Sequence, residues 1–381
     1  MELNTRVFLK KKFKEYYWKN VVKAPRDISS REFGIGTLEE KIKFRHKSFK
    51  TEKELNNYLQ REAPFYISYS TAYYEFPENQ PMPEKNWGGS DLVFDLDASM
   101  PYMNRGVMDS VKEEVLNLVE FLISDFGFSK NHIETNFSGN KGYHVHVFND
   151  EVIKLNGEER REIVDYVTGS GLNINYFMRE EQSTEGIVYE RGVPKRYSSS
   201  YVGPKKDDIG WAKRIYDGTA DLIENYDMKK FRDDGFKESI ARRIVDSKEK
   251  ILKSLESGRW EGIEGVREKT FQNIINRKAI KIKDADKMVT IDTSRLIRLP
   301  DSLHGSSGLI VKRVKDLDSF DPIKDAIAFG GNKITIKIQK DAPEFELSGN
   351  KFGPYKSDER IEVPEYAAVY LMLKDTADIA K

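Results

Sequence analysis

The sequence predicts an α/β (α+β) fold, with a mixed β-sheet flanked by helices and a smaller, mostly helical insertion. Strand and helix patterns alternate over the first 150 residues, highly charged helical patterns fill the middle of the chain, and strand patterns return after them. We therefore expect a main domain built from residues 1–155 and 276–381, and an insertion subdomain at residues 156–275.

The first third of the chain supplies a helix and several strands. Residues 5–20 have the spacing of an amphipathic helix, and "REFGIG" and "KIKFRHKSF" alternate like the strands of a hairpin. "FYISYSTAYY" (65–74) predicts one further strand. A proline-rich loop, residues 76–89, leads into the strand "DLVFDLDA".

The remaining elements follow in order. Residues 108–126 have helical periodicity, and "HIETNFSGNKGYHVHVFN" predicts strand, turn and strand, which completes a βαββ order. The insertion is predicted to be helical, with a loop near residues 183–210. After it we expect strands at 287–292 and 307–314, a short helix over "TSRLIR" with Asp292 as its N-cap, a strand pair in "GNKITIKIQKDAPEFEL", and a packed helix in "VPEYAAVYLMLKDTADIA".

The composition excludes several classes of protein. No apolar run approaches the ~18 residues of a membrane span, and the N-terminus lacks the apolar core of a signal peptide, so a cytoplasmic location without membrane contact is expected. The absence of cysteine excludes disulfides, thiolate zinc sites and iron–sulfur ligation. Any metal must therefore be held by oxygen or imidazole.

Charge distribution says more about partners than net charge does. The chain has 63 basic and 63 acidic residues, but residues 1–50 carry 14 basic and 6 acidic ones, interleaved with aromatic residues. This pattern is typical of a surface that grips a phosphate backbone and stacks bases. More often such a pattern belongs to an amphipathic helix with a solvated basic face, and both interpretations stay open.

Two carboxylates share one face of the predicted strand "LVFDLD". Because successive side chains of a strand point to opposite faces, Asp95 and Asp97 lie on the same side, two residues apart. Such a pair repels itself unless protons or a metal ion lie between the groups. A solvated turn or a helix cap is the alternative explanation for this tripeptide.

Two further clusters carry phosphate-binding chemistry. His144 and His146 share a strand face directly after the turn "SGNKG", whose backbone N–H groups and Lys141 suit an anion, although a histidine on a strand is often structural. Arg295 and Arg298 lie three apart on the predicted helix, where they fit either phosphate binding or surface salt bridges.

These clusters together point to two-metal nucleotidyl transfer. Paired carboxylates hold the metals, and nearby cations offset the charge of the leaving pyrophosphate. The chain lacks a Gly-x-x-x-x-Gly-Lys-Ser/Thr loop, which argues against a P-loop ATPase.

Four segments, in the order "REFGIGTLEEKIKFRHKSF", "LVFDLDA", "SGNKGYHVHV" and "TSRLIRLPDSLHGSSGL", resemble the catalytic small subunit of archaeal and eukaryotic DNA primases, most closely the archaeal form. The closing "VPEYAAVYLML" is also similar. The resemblance implies the primase-polymerase catalytic fold and a DNA-directed nucleotidyltransferase that makes short RNA primers on single-stranded DNA for replication. It also implies a heterodimer with a large primase subunit, NTPs as substrates with dNTPs as a second option, and a two-metal site for Mg²⁺ or Mn²⁺.

The resemblance assigns roles to individual residues. It implies metal binding by Asp95 and Asp97 with a third carboxylate, for which the family spacing to His304 favours Asp286 over Asp292. Asp91 matches no ligand position and is expected at a solvated entrance to the strand. The residues implied in nucleotide binding are Glu32, Arg45, Ser138, Lys141, His144, Arg298 and His304.

The sequence departs from the family pattern at two places. Many relatives carry a cysteine-rich zinc-binding segment between the second and third motifs, and this chain has none. Asn140 and Lys141 stand where arginines are common, which affects triphosphate affinity. Two rival functions remain: a stand-alone primase-polymerase of repair or of a mobile element, and a non-catalytic scaffold that binds single strands.

Overall fold

The computed structural model describes residues 1–183, 188–190, 193–195, 198–260, 267–278 and 284–380. The chain forms two compact units, one comprising Met1–Val119, Phe128–Val164 and Lys281–Lys381, the other Glu120–Gly127 and Asp165–Ile280. Within the described residues, no helix is both long enough and apolar enough to cross a membrane.

The α-helices of the described residues are α1 (Leu3–Lys19), α2 (Glu52–Glu62), α3 (Arg105–Ser124), α4 (Asp150–Ile153), α5 (Gly157–Val167), α6 (Gly210–Asn225), α7 (Met228–Asp233), α8 (Glu238–Asp246), α9 (Lys248–Glu256), α10 (Arg267–Lys278), α11 (Asp284–Ile291), α12 (Pro322–Asp325) and α13 (Glu365–Leu373). The strands are β1 (Phe33–Gly36), β2 (Phe44–Lys47), β3 (Tyr66–Ser70), β4 (Ala72–Tyr74), β5 (Trp87–Ser90), β6 (Leu92–Asp97), β7 (Ile133–Phe137), β8 (Gly142–Val147), β9 (Arg179–Ser183), β10 (Val188–Glu190), β11 (Val193–Lys195), β12 (Ser198–Val202), β13 (Leu296–Arg298), β14 (Lys312–Val314), β15 (Lys333–Ile338), β16 (Phe345–Leu347), β17 (Asn350–Phe352), β18 (Arg360–Pro364) and β19 (Ala377–Ile379).

Two four-stranded sheets organise the first unit. Their strand orders are β13-β3-β1-β2 and β14-β7-β8-β6, and a three-stranded sheet has the order β18-β15-β19. The βαββ order predicted from the sequence is confirmed, since β6, α3, β7 and β8 follow one another and the three strands share a sheet. The strand pairs of the described residues are all antiparallel, so the sheet is not mixed in strand direction.

The apolar alternation of β6 explains its place in the core. Leu92, Phe94 and Leu96 are at most 2 % exposed, whereas Asp95 and Asp97 on the opposite face are half-buried. Helix α3 supplies further buried side chains at helical spacing, including Val115 and Leu118. The strand therefore buries one face completely and turns its carboxylates towards a partly open space.

The second unit combines short antiparallel strands with helices. Strands β9 and β12 pair, β10 and β11 pair, and α6 packs against α9 and α10. Trp211, Ile215 and Phe231 are buried in this unit. The loop predicted near residues 183–210 is wrong where β10, β11 and β12 occupy it; residues 184–187, 191–192 and 196–197 lie outside the described residues.

Several local predictions in the first unit are corrected by long-range pairing. Residues 65–74 form two strands, because the chain leaves the first sheet at Thr71 and β4 pairs with β5. The strand predicted at 287–292 is wrong, since helix α11 ends at Ile291. Within 307–314 only β14 is a strand, and β15 and β16 pair with other partners rather than with each other.

The predicted helix over "TSRLIR" is also wrong. Residues 296–298 form β13, whose Ile297 pairs with Tyr69 of β3. Asp292 does not cap a helix; its side chain accepts hydrogen bonds from the backbone N–H and the hydroxyl of Ser294, at 2.9 and 2.8 Å. Strand pairing with β3 has overridden the local helical spacing of the two arginines.

Candidate active site

A cavity of about 370 Å³ lies between the two four-stranded sheets of the first unit. It is lined by side chains from β2 and the segment before it, β3, β6, β8, α11 and β13. The charged and polar lining residues are Lys41, Arg45, Ser68, Asp95, Asp97, His144, Asp292, Ser294, Arg295 and Arg298. Five of the predicted site residues therefore line one cavity.

The two aspartates of β6 face this cavity together. Asp97 Oδ2 lies 3.3 Å from Lys141 Nζ, and Asp95 Oδ1 lies 3.6 Å from His144 Nε2. Gly142 of β8 pairs with Asp97, and a Cβ atom at Gly142 would lie only 2.3 Å from Asp97 Oδ1. A glycine is thus needed there for Asp97 to keep its position.

His144 is a buried neutral imidazole beside the first aspartate. Burial lowers its pKa well below the ordinary value, and the positive charge of Arg298 adds to this effect. The ring therefore carries no charge at neutral pH and acts as a hydrogen-bonding group. His146, by contrast, does not line the cavity; its ring stacks against Tyr69 and Phe148.

The turn between β7 and β8 brings Ser138 and Lys141 to the end of the sheet where Asp97 lies. Ser138 Oγ accepts a hydrogen bond from the Gly142 N–H at 3.2 Å, and the Ser138 N–H donates to the Gly142 carbonyl at 2.8 Å. Gly139 has a φ of +81°, which a residue with a side chain rarely adopts. The sequence thus builds a tight turn that points Lys141 at Asp97.

Strand β13 places Arg298 opposite the aspartates. Arg298 pairs with Ser68 of β3, and its guanidinium lies 5.9 Å from the centre of the Tyr66 ring. Burial lowers the pKa of Arg298 although Asp95 and Asp97 act in the opposite direction. Even so, an arginine keeps its proton at neutral pH, so it presents a permanent positive charge to the cavity.

Glu32 does not line the cavity; it lies behind Arg45 and holds it. Arg45 Nε and Nη2 donate to the two Glu32 oxygens at 2.9 and 3.3 Å, and the His46 N–H donates at 3.1 Å. Lys85 Nζ, also fully buried, lies 3.6 Å from Glu32 Oε2. Burial by itself raises the pKa of Glu32, but these hydrogen bonds and charges, Arg45 foremost, lower it below the ordinary value.

His304 lies behind the β7–β8 turn. A Cβ atom at Gly139 would be 2.8 Å from the His304 Cβ, so the two segments touch. The Ser306 N–H donates to His304 Nδ1 at 3.2 Å. Nδ1 is therefore an acceptor and the ring proton sits on Nε2, which leaves a donor for an anionic oxygen. Burial and nearby cations, beginning with Arg298, lower the pKa of His304 well below the ordinary value, so this donor is neutral.

Two aspartates are candidates for the third carboxylate. Asp286 lies in α11, which packs against β6, but its side chain lies outside the described residues. Asp292 lines the cavity directly. Among the described residues, no group of three or more acidic, histidine or cysteine side chains is arranged to hold a metal ion.

Comparison with known proteins decides the family. A family model described as DNA primase small subunit matches residues 94–316. The chain is 35 % identical to the DNA primase small subunit PriS of Methanococcoides burtonii, with 99 % of both chains covered. It is 36 % identical to the PriS of Archaeoglobus fulgidus (98 % of both) and 34 % identical to that of Methanothrix thermoacetophila (100 % of both). The chain belongs to the DNA primase small subunit family.

Membership of the DNA primase small subunit family confirms the resemblance and the α+β fold class inferred from the sequence. The matched region runs from Phe94 to Asp316 and so contains the motifs of β6, β8 and β13. The first motif, with Glu32 and Arg45, lies outside it but inside the full-length matches to the archaeal small subunits.

Sequence reasoning missed some residues around this site. Lys41 lines the cavity, and its pKa is lowered first by burial and then by the positive charge of Arg298. Its place in the basic run "KIKFRHK" was the signal that could have found it. Asp91 is a correction: it is 1 % exposed and its Oδ2 lies 2.7 Å from Arg31 Nη2, so it is not at a solvated entrance.

Proposed function

We propose that this chain is the catalytic subunit of a DNA primase that synthesises short RNA primers on single-stranded DNA. The observation that carries the proposal is that Asp95 and Asp97 face one cavity with the cations Lys41, Arg45 and Arg298. Lys41 and Arg298 are 257 positions apart in the sequence, so the cavity brings together distant segments of the chain.

The donor set fits hard divalent cations. Carboxylate oxygens are the ligands that Mg²⁺ and Mn²⁺ prefer, and the described site offers no thiolate. We propose that Asp95 and Asp97 hold these ions with Asp286, and we keep Asp292 as the second candidate because it lines the cavity. When bound, such ions lower the pKa of the attacking hydroxyl and offset charge on the transferred phosphate.

The chain's own residues bind and orient the substrates. Arg298 and Lys41 supply positive charge where the pyrophosphate leaves, and Glu32 keeps Arg45 extended towards the cavity. His144 and His304, both neutral, supply hydrogen bonds without adding charge. Alignment of the 3′-hydroxyl with the α-phosphate of the next nucleotide accounts for much of the expected rate gain.

We also propose that the first compact unit is the catalytic domain, because every described candidate residue lies in it. The second unit then corresponds to the insertion predicted at residues 156–275. A large subunit is expected as the heterodimer partner, with single-stranded DNA as template and NTPs as substrates. Use of dNTPs remains a second option.

The decisive experiment is metal-dependent primer synthesis by the Asp95→Asn variant. The purified chain, alone and with its co-expressed large subunit, is incubated with single-stranded DNA, Mg²⁺ or Mn²⁺, and labelled NTPs or dNTPs. Asp95→Asn should abolish synthesis, whereas the exposed Asp358→Asn control, at 81 % side-chain exposure, should not change it. Full activity of folded Asp95→Asn would overturn the proposal.

The same assay separates the rival functions. Efficient synthesis from dNTPs without a large subunit would favour a stand-alone primase-polymerase. Binding of single strands with no metal-dependent incorporation would favour a non-catalytic scaffold.

A further inference from the structure

Lys374 lies at the end of α13, far along the chain from every motif of the site. Its Nζ donates to Asn140 Oδ1 in the β7–β8 turn at 3.2 Å, and it lies 5.2 Å from the centre of the Tyr370 ring. The side chain is half-buried. A lysine from the last helix is therefore fixed on the turn that also carries Ser138 and Lys141.

This lysine is a cation without an anionic partner among the residues that the structure describes. No described carboxylate lies within ion-pair distance of it, and its polar side-chain contact is the neutral amide of Asn140. Burial, with a contribution from the like charge of Lys141, lowers the pKa of Lys374 to about 8. Holding an ammonium group in such a place is unfavourable unless a ligand supplies the missing negative charge.

The neighbouring groups have the same sign or no charge. Lys41, Arg298 and Lys374 all act on His304 as positive charges that lower its pKa, after the larger effect of burial. Lys141 differs from these three: among the described residues, it is the cation that touches a carboxylate, with Nζ 3.3 Å from Asp97 Oδ2. On the side of Lys374 and His304, no described carboxylate forms an ion pair with these cations.

The backbone on that side also suits an anion. Gly139 adopts the left-handed conformation, and no Cβ fits there because it would press on His304. His304 itself presents its Nε2 proton, as deduced from the Ser306 contact at Nδ1. The turn, the neutral imidazole and Lys374 therefore combine donors and positive charge around one place.

We propose that Lys374 binds the triphosphate of the incoming nucleotide, at its β- or γ-phosphate, beside Lys141 and His304. This inference rests on the proposed function. A phosphodiester of the nucleic acid strand has the same charge and the same oxygen acceptors. We favour the nucleotide because Lys374 contacts the turn that carries Lys141, and Lys141 in turn contacts Asp97 of β6. The last helix of the chain would then take part directly in substrate binding.

The test compares Lys374→Met, which keeps length and apolar contact with Tyr370, and Lys374→Arg, which keeps the charge. Lys333→Met, at a lysine with 68 % side-chain exposure, is the matched control. Calorimetry measures binding of Mg-ATP, inorganic tripolyphosphate, AMP and a single-stranded oligonucleotide to each full-length variant. Thermal melting establishes that each variant is folded.

We expect Lys374→Met to bind ATP and tripolyphosphate at least roughly tenfold more weakly, the effect of losing one charged hydrogen bond. AMP and oligonucleotide binding should not change, and Lys374→Arg should restore most of the affinity. In primer synthesis the KM for NTP should rise by a similar factor with little change in kcat.

Two results would overturn the inference. One is ATP and tripolyphosphate affinity in folded Lys374→Met equal to that of the Lys333→Met control. The other is a loss confined to the oligonucleotide, which would assign Lys374 to the strand backbone. Failure of the proposed function can be told apart from failure of this inference. If the proposed function is wrong, the unmodified chain makes no primers, whereas the role of Lys374 is decided by the phosphate-binding measurements.

Discussion

Replacing Asp91 by asparagine tests a fully buried charge pair of the first unit. Asp91 Oδ2 lies 2.7 Å from Arg31 Nη2, and both side chains are 0 % exposed. The Tyr73 hydroxyl also donates to Asp91 at 2.6 Å. Asparagine keeps the shape and an acceptor for Tyr73, but it removes the charge that compensates Arg31.

The expected loss of stability depends on the contacts that Arg31 keeps in the Asp91→Asn variant. Breaking a buried ion pair by removing one partner typically costs about 3–5 kcal/mol. Arg31 still donates to three backbone carbonyls, of Arg26, Ser70 and Thr71, at 3.1, 3.0 and 2.6 Å. Its guanidinium also lies 3.6 Å from the centre of the Tyr73 ring. These contacts place the expected loss at the lower end, about 3 kcal/mol.

The assay is urea unfolding followed by tryptophan fluorescence. With a denaturant slope of about 3 kcal/mol per molar, a loss of about 3 kcal/mol lowers the midpoint by about 1 M. The control is Asp358→Asn, whose side chain is 81 % exposed and pairs with Lys337 at the surface. Its free energy of unfolding should change by no more than about 0.5 kcal/mol, as for other surface substitutions.

A solvated Asp91 gives a different result, so the measurement can refute the reasoning. If Asp91→Asn unfolds at the same urea concentration as the control, the charge of Asp91 does not compensate Arg31 in solution. A second variant, Arg31→Met combined with Asp91→Asn, should lose less than the sum of the two single changes, because no unpaired charge remains buried.

Three further predictions concern the site. Asp286→Asn should reduce metal-dependent synthesis by at least about 100-fold, or about 2.7 kcal/mol of barrier, with Asp292→Asn near the unmodified rate; the reverse order would make Asp292 the third ligand. Lys85→Met should lower the free energy of unfolding in urea by about 1–3 kcal/mol, because Lys85 is buried against Glu32. It should also raise the KM for NTP, because Glu32 holds Arg45 at the cavity. An unchanged KM would contradict this prediction. Because the pKa of Lys374 is lowered to about 8, its charge is present below that pH and lost above it. The KM for NTP should therefore rise above pH 8 in the unmodified chain but not in Lys374→Arg. Parallel pH profiles of the two proteins would contradict this prediction.

The sequence predicted best where one strand fixes the outcome. The two-residue period alone places Asp95 and Asp97 on one face of β6, and the structure has both at the cavity. Periodicity also puts His144 and His146 on one strand face, but it is the antiparallel register that pairs His144 with Asp95. Local periodicity is sufficient for the two aspartates, because the opposite face of β6 is buried and a shift in register would expose that face.

Prediction failed where a distant partner decides the local structure. Arg295 and Arg298 have helical spacing, yet residues 296–298 extend to pair with β3 some 230 positions earlier. Asp91 has the same strand parity as Asp95 and Asp97, yet Arg31 and Tyr73 from earlier segments enclose it. No pattern within either segment records these partners, because both depend on how the sheets are assembled.

Charge balance around the cavity supports the proposal that its substrate is a nucleoside triphosphate. The cavity is lined by the carboxylates of Asp95, Asp97 and Asp292 and by the cations Lys41, Arg45, Arg295 and Arg298, with Lys141 in contact with Asp97. Glu32 offsets the charge of Arg45, which leaves a small excess of positive charge among the described residues. Divalent ions at the carboxylates would make this excess larger. Such an excess in a partly enclosed site is unfavourable without an anion, and a nucleotide triphosphate supplies several negative charges at once. Burial lowers the pKa of His144 and of His304 and so keeps both rings neutral. Under the proposed function, they can form hydrogen bonds with phosphate without adding to the repulsion among the cations when the nucleotide is absent.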